Sequence, residues 1–331
     1  MTVLQDQTLT SIELARQFCD SVPHNRDLGI EVVSTEIECT TMRLKPHPGL
    51  LGDTAKNLLF NSVSLSLADA CSGLAVFVAT KTLVPISTLD LRMDYLRPAS
   101  AALSLNATAT CYRHTAEIAF VRCFVFSESV AEPVAIGSSV FMRAKPGGKG
   151  QAEWNAALLN SQPQGREARL PISPVQASDP ASFSPALTLD AVDDGCDDLH
   201  RLIERLPYAR HLKLCVAKVA GRHCIRMPFR NELIGNMILP ALHGGTLGAL
   251  MEITALTACQ QLDALHRMPK LIDSTMDFLR SGRARDTFAM AKIIRSGQRV
   301  ITVHVDCWQD DPSNVIAIMR MQLLVAGSIH Q

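Results

Sequence analysis

Several signatures are missing from this sequence, and each absence closes a line of interpretation. Its ten cysteines, Cys19, Cys71, Cys111, Cys196 and Cys259 among them, are scattered, with no Cys-x-x-Cys pair. Scattered cysteines read as small buried hydrophobes in a reducing compartment. The ten histidines show no metal-ligand spacing, so no metal is expected. Charge of neither sign dominates: Lys plus Arg is 32 and Asp plus Glu is 32. That balance gives no electrostatic reason for nucleic acid or an anionic membrane as partner. The opening stretch, MTVLQDQTLTSIELARQFCD, has no basic segment leading into an apolar run, so no signal peptide is expected. No window approaches the roughly 18 uninterrupted apolar residues of a spanning helix. The expected location is cytoplasmic.

What is present suits two domains of ordinary size. The chain has 331 residues, 47% hydrophobic and 19% charged, enough for a sizeable core in each half. The two halves repeat one pattern. VPHNRDLGIEVV, TMRLKPHPGLLGD, SLADACSG and RMDYLRPAS in the first answer to LPYARHLKLCVA, CIRMPFRNELIGN, ALMEITAL and STMDFLRSG in the second. Gly52 and Gly235, Asp69 and Glu252, and Arg97 and Arg280 are each 183 residues apart. Three unrelated landmarks at one offset indicate duplication. The division expected is a first domain at 1–144, a linker at 145–193 and a second domain at 194–331. The linker is rich in Pro, Gly, Ser and Ala, with a helical turn expected at AEWNAALLN.

Each copy reads as an extended stretch (29–44; 212–227), an irregular Gly/Pro/Asn loop, one helix, and a run of strands. The first helix carries apolar positions at Val63, Leu67, Ala70, Leu74 and Val78, a period near 3.6. The second carries Leu247, Leu250, Thr254 and Ala258. Strands are expected at 86–96, 101–112, 117–126 and 134–141, where β-branched residues alternate. One long helix followed by an antiparallel meander is α+β, with the sheet wrapped around the helix.

The second helix is entered through Leu242-His243-Gly244-Gly245-Thr246. Glycine weakens a helix start but lets another molecule approach its backbone. The unpaired N–H groups and positive dipole end there suit a carbonyl oxygen gaining negative charge. A Gly-rich turn needing positive φ is the alternative. Asp69 and Glu252 each stand two positions past a stripe residue, about 200° around their helix. Their neighbours are small and apolar, so each carboxylate is expected to face the other copy rather than water. A half-buried acid at such a seam is a general-base candidate with a raised pKa.

These residues resemble the hotdog-fold acyl-CoA thioesterases of the phenylacetyl-CoA thioesterase type. The second copy supplies Asn236, His243-Gly244-Gly245 and Glu252, nine positions after the histidine. The first supplies Asp69 in SLAD and the strand from Thr88 through Tyr95-Leu-Arg-Pro-Ala99. The resemblance implies two tandem hotdog domains, each an antiparallel sheet wrapped around one long central helix, paired with pseudo-two-fold symmetry. It also implies composite sites: Asn and Gly-Gly from one hotdog, a carboxylate and a Ser or Thr from the other. The copies have diverged. Phe60-Asn61-Ser62 stands where the second copy has His-Gly-Gly, and Leu271 stands where the first has Thr88. Pairing across copies then gives one complete set, with Asp69 and Thr88 opposite Asn236, His243, Gly244 and Gly245. It leaves one degenerate set, with Glu252 and Leu271 opposite Asn61 and Ser62.

The implied reaction is hydrolysis of an acyl-CoA without a cofactor. Gly244 or Gly245 N–H and Asn236 polarise the carbonyl, Asp69 acts as base on water (with attack by its own carboxylate to form an anhydride as the alternative), Thr88 orients the water or the carboxylate, and His243 fixes the loop. Arg97, Arg113, Arg295 and Arg299 are the candidates for the coenzyme A phosphates, each with a solvated arginine as the alternative. A hotdog dehydratase or hydratase, and a non-catalytic acyl-CoA sensor or scaffold, remain as alternatives. A homodimer of double hotdogs is compatible with the sequence.

Overall fold

The computed structural model describes residues 12–36, 39–82, 84–145, 189–190, 197–236, 240–262 and 268–325. Nearly all of the expected linker, including AEWNAALLN, lies outside the described residues. The first copy runs α1 (Ile12–Ser21), α2 (Pro23–Leu28), β1 (Ile30–Thr35), β2 (Thr40–Leu44), β3 (Leu51–Asp53), β4 (Leu58–Leu59), α3 (Asn61–Thr80), β5 (Ile86–Tyr95), β6 (Leu105–His114), β7 (Ile118–Phe126) and β8 (Ala135–Arg143). The second runs α4 (Asp197–Arg205), α5 (Pro207–His211), β9 (Cys215–Val219), β10 (Arg222–Met227), β11 (Ile234–Asn236), β12 (Ala241–Leu242), α6 (Gly244–Gln260), β13 (Lys270–Phe278), β14 (Thr287–Ser296), β15 (Val300–Trp308) and β16 (Ala317–Leu324). The short opening helices are an addition to the sequence reading. Proline opens α2 and α5 at a position where its missing N–H removes no helical bond.

One twelve-stranded sheet runs through both copies in the order β1-β2-β6-β7-β8-β5-β13-β16-β15-β14-β10-β9. The order is a palindrome once each strand is replaced by its repeat equivalent. Every pairing is antiparallel, and the copies join at β5–β13. Alternate residues such as Leu91 and Met93, or Val121, Cys123 and Val125, point inward and are buried. The sheet closes over α3 and α6, which also pack on each other. Helices covered by sheet on one side and by a helix on the other are apolar nearly all round. Helix α3 is long and apolar enough by length and composition to cross a bilayer, though serines and Asp69 interrupt its apolar run, and it is mostly buried inside the fold.

Contacts between a residue and its own repeat equivalent locate the pseudo-two-fold axis. Arg92 pairs with Thr275 across the seam, 183 apart. Leu65 packs on Gly248, also 183 apart, where a Cβ on the glycine would stand 2.9 Å from the leucine Cδ2. Leucine and glycine thus interlock at the helix crossing. Nearer the chain start the offset is 184, because the first copy has one residue more between Asp27 and Gly52. There Asp27 Oδ2 meets His211 Nε2 at 2.7 Å.

Candidate active site

His243 caps α6 in extended conformation, and its Nδ1 accepts the Gly245 N–H at 2.9 Å. A ring that accepts at Nδ1 carries its proton on Nε2 when neutral. Burial pushes the His243 pKa down, against the pull of Asp69, so neutral is the favoured form. The two glycines that follow have different duties. A Cβ on Gly245 would collide with the Ser66 hydroxyl and stand 2.7 Å from its Cα. Gly245 is therefore demanded by the crossing of α3 and α6, and its N–H is already engaged. Gly244 carries the first N–H of the helix, which has no intrahelical acceptor and lies at the positive dipole end. Its missing Cβ would stand 2.7 Å from Asp69 Oδ2 and 2.9 Å from the Phe278 ring.

Asp69 reaches this point from α3 of the other copy and is 7% exposed. Thr88 Oγ1 donates to its Oδ1 at 3.0 Å. A register shift in β5 between Thr88 and Asp90 turns the hydroxyl toward the helix. Asp69 Oδ2 lies 3.6 Å from His243 Nδ1, beyond hydrogen-bond reach of a nitrogen that already has its donor. Burial raises the Asp69 pKa, while His243 and Thr88 pull it down.

Asp69, Thr88, Asn236, His243 and Gly244 all line one cavity of about 410 Å³, whereas Gly245 does not. Of the four arginines singled out in the sequence, none lines it. Arg97 pairs with Glu132 at 3.3 Å, and the lining arginine is its repeat equivalent, Arg280. Two further residues escaped the sequence reading. His24 is fully buried, packs against His243 with ring centroids 4.7 Å apart and the rings tilted by 44°, and lies 3.4 Å from Ser66 Oγ. Asn25 beside it lines the cavity. The signal was in the repeat: His24 answers to Tyr208, which stands against Phe60 at 5.7 Å, just as His24 stands against His243.

The second acid sits in a filled version of the same arrangement. Asn61 Nδ2 donates to Glu252 Oε1 at 2.9 Å, Ser62 Oγ donates to Oε2, and the Ser62 N–H adds a third bond. Phe60 cannot capture that N–H as His243 captures Gly245's, and Glu252 is one methylene longer than Asp69. Its carboxylate thus occupies the helix start that faces open space at the first site. The neighbours have grown as well. Ile253, Leu256 and Leu271 stand where the first site has Ala70, Gly73 and Thr88, and all three are buried. Burial pushes the Glu252 pKa up to about 7 despite the Ser62 and Asn61 hydrogen bonds.

Comparison with known proteins agrees with this architecture. The family model described as "Thioesterase superfamily" matches residues 56–145 and 239–316, just over half of the chain and a segment in each copy. The medium/long-chain acyl-CoA thioesterase YigI of Escherichia coli K12 is 29% identical over 128 residues, covering 35% of this chain and 82% of that protein. The Salmonella typhimurium protein of the same name is 27% identical over 128 residues, with the same coverage. A Novosphingobium aromaticivorans structure described as a thioesterase superposes with TM-score 0.55 at 15% identity, covering 89% of this chain and 98% of that one. The tesB protein of Mycobacterium avium subspecies paratuberculosis gives TM-score 0.52 at 9% identity, covering 89% and 96%. At such identities the structures speak for the fold alone, and both extend it over the two copies, as tandem hotdogs require.

Proposed function

The chain belongs to the thioesterase superfamily, a family of thioester hydrolases, and on that premise we propose that it cleaves acyl-CoA at one composite site. The first copy supplies the base and the second the oxyanion cradle. One observation carries this reading: of the two acids, Asp69 and not Glu252 lines an open cavity together with a helix start that bears glycine. The acyl-CoA relatives support the substrate class. With the thioester carbonyl against the Gly244 N–H, the helix dipole and Asn236 favour charge on its oxygen. Asp69 takes a proton from water as the water oxygen bonds to the carbonyl carbon. The tetrahedral intermediate then collapses, breaking the C–S bond, and the Asp69 proton passes to the departing thiolate. The products are a free acid and coenzyme A. His243, held by Gly245 and His24, shapes the loop and takes no proton at Nδ1, where a base role would cost the Gly245 hydrogen bond.

Free-thiol release from acyl-CoAs between acetyl and palmitoyl, with phenylacetyl-CoA included, tests the activity. Release from none of them would refute hydrolysis and favour a binding protein. Thr88→Val tests the base. The threonine hydrogen bond favours the ionised carboxylate, so its loss should move the acid limb of kcat/KM to higher pH, and Thr88→Ser should return it. A limb that stays in place in Thr88→Val would remove Asp69 as the titrating base.

The two glycines should separate in experiment. Gly244→Ala sets a methyl between Asp69 and the carbonyl position, and kcat/KM should fall about a hundredfold with little change in melting temperature. Gly245→Ala forces apart the α3–α6 crossing and should cost roughly 1–3 kcal/mol of stability. If Gly244→Ala lost stability and kept activity, the assignment of their duties would be reversed.

A further inference from the structure

The cavity runs well beyond the reacting groups, and its far part has a length that the helix itself measures. Asp69, Gly73 and Phe77 follow one another at four-residue steps on α3, and all three line the cavity. Residues so spaced lie along one helix face. Ile86 and Phe141 wall the stretch at Gly73. A Cβ on Gly73 would point at these two, 3.6 Å from Ile86 Cδ1 and 4.0 Å from the Phe141 ring. Glycine therefore leaves room for about one methyl group there, and a larger side chain would meet both walls. Phe77 is fully buried and meets Phe18 edge-on, centroids 4.8 Å apart. Both rings line the cavity at the Phe77 end of this row.

The second copy shows what the same helix does without this opening. Its residues in the three positions are Glu252, Leu256 and Gln260, and the leucine is buried where Gly73 leaves room.

We propose that this groove is the acyl-chain channel, with Gly73 opening it and the Phe77–Phe18 pair fixing its depth. The inference rests on the thioesterase reading above and names the acyl class that the site accepts. Eight residues of helix rise about 12 Å. An extended chain of ordinary C–C bonds advances about 1.25 Å per carbon, so the channel takes about eight to ten carbons. The substrate class is a medium, unbranched acyl thioester. Short acyl groups leave the channel unfilled, and long ones run into Phe77.

The test is a ladder of acetyl-, butyryl-, octanoyl-, decanoyl-, lauroyl- and palmitoyl-CoA. Free-thiol release is measured on the wild-type protein, and binding by calorimetry on Asp69→Asn. Wild-type kcat/KM should peak at octanoyl or decanoyl. Gly73→Leu, which installs the second copy's residue, should lower the decanoyl-to-butyryl ratio about thirtyfold. Phe77→Ala should raise the palmitoyl-to-decanoyl ratio about tenfold. Gly73→Ala, whose methyl meets only ordinary contacts, should lower the decanoyl ratio less and serves if leucine disrupts folding. A ladder unchanged by Gly73→Ala, Gly73→Leu and Phe77→Ala would overturn the channel assignment. If no acyl-CoA were cleaved but affinity for Asp69→Asn peaked at decanoyl and shifted with Gly73, catalysis would fall and the channel would stand.

Discussion

Replacing Asp69 by asparagine is expected to lower kcat for acyl-CoA hydrolysis about a thousandfold, within the range of a lost general base. Glu252→Gln should leave it within about twofold, as substitutions away from the reacting groups do. The contrast is sharp because both acids come from the same duplicated helix position. Asparagine preserves the size of Asp69 and can still accept from Thr88 Oγ1, so the loss would be chemical rather than structural. Glu252 meets no open space: Asn61 and Ser62 hold both its oxygens. Length matters as much as charge. Asp69→Glu would extend the carboxylate toward the Gly244 N–H, as Glu252 extends toward Ser62, and block the carbonyl position. We expect that variant to lose nearly as much activity as Asp69→Asn while still folding. Free-thiol release at saturating acyl-CoA, with circular dichroism as the folding check, measures all three. Loss of turnover in Glu252→Gln with retention in Asp69→Asn would invert the polarity of the site.

Much of this arrangement is legible in the sequence, because duplication turns position into geometry. The offset of 183 between Asp69 and Glu252 is the same offset that relates Arg92 to Thr275 and Leu65 to Gly248 on the axis. The burial of both acids follows from small apolar neighbours that no solvated helix face would carry. Other features depend on distances that periodicity does not contain. His-Gly-Gly reads as one cradle, yet of its two glycines Gly244 meets the cavity while Gly245 answers to the bulk of Ser66 in the other copy. Phe60-Asn61-Ser62 reads as a lost cradle, but not as side chains that reach Glu252. Arg97 and Arg280 are equivalent in the repeat, and only the composite pairing decides which faces the surviving cavity. His24 lies in a six-residue proline-capped segment too short to show a period.

Glu252→Gln, neutral for catalysis, should change the pH dependence of stability strongly. The Glu252 pKa stands at about 7 in the folded protein against an ordinary 4.5. Between those values the folded chain holds a proton that the unfolded chain has released, so wild-type stability falls as pH rises. At about 1.4 kcal/mol per pKa unit, the full effect is on the order of 3 kcal/mol, complete above pH 7 and absent below 4.5. Glutamine cannot ionise, so the variant should escape this loss and be the more stable protein at pH 8. Asp69, also raised by burial, titrates in both proteins and cancels in the difference. Urea unfolding of both proteins at pH 5 and pH 8 gives that difference directly. The two stability curves should diverge through this window, and curves that stay parallel would show that Glu252 ionises normally in the fold. Divergence would mean that the filled site is held against its own charge at neutral pH. The Asn61 and Ser62 hydrogen bonds would then offset only part of the burial cost, which is what a pKa still above the ordinary value records.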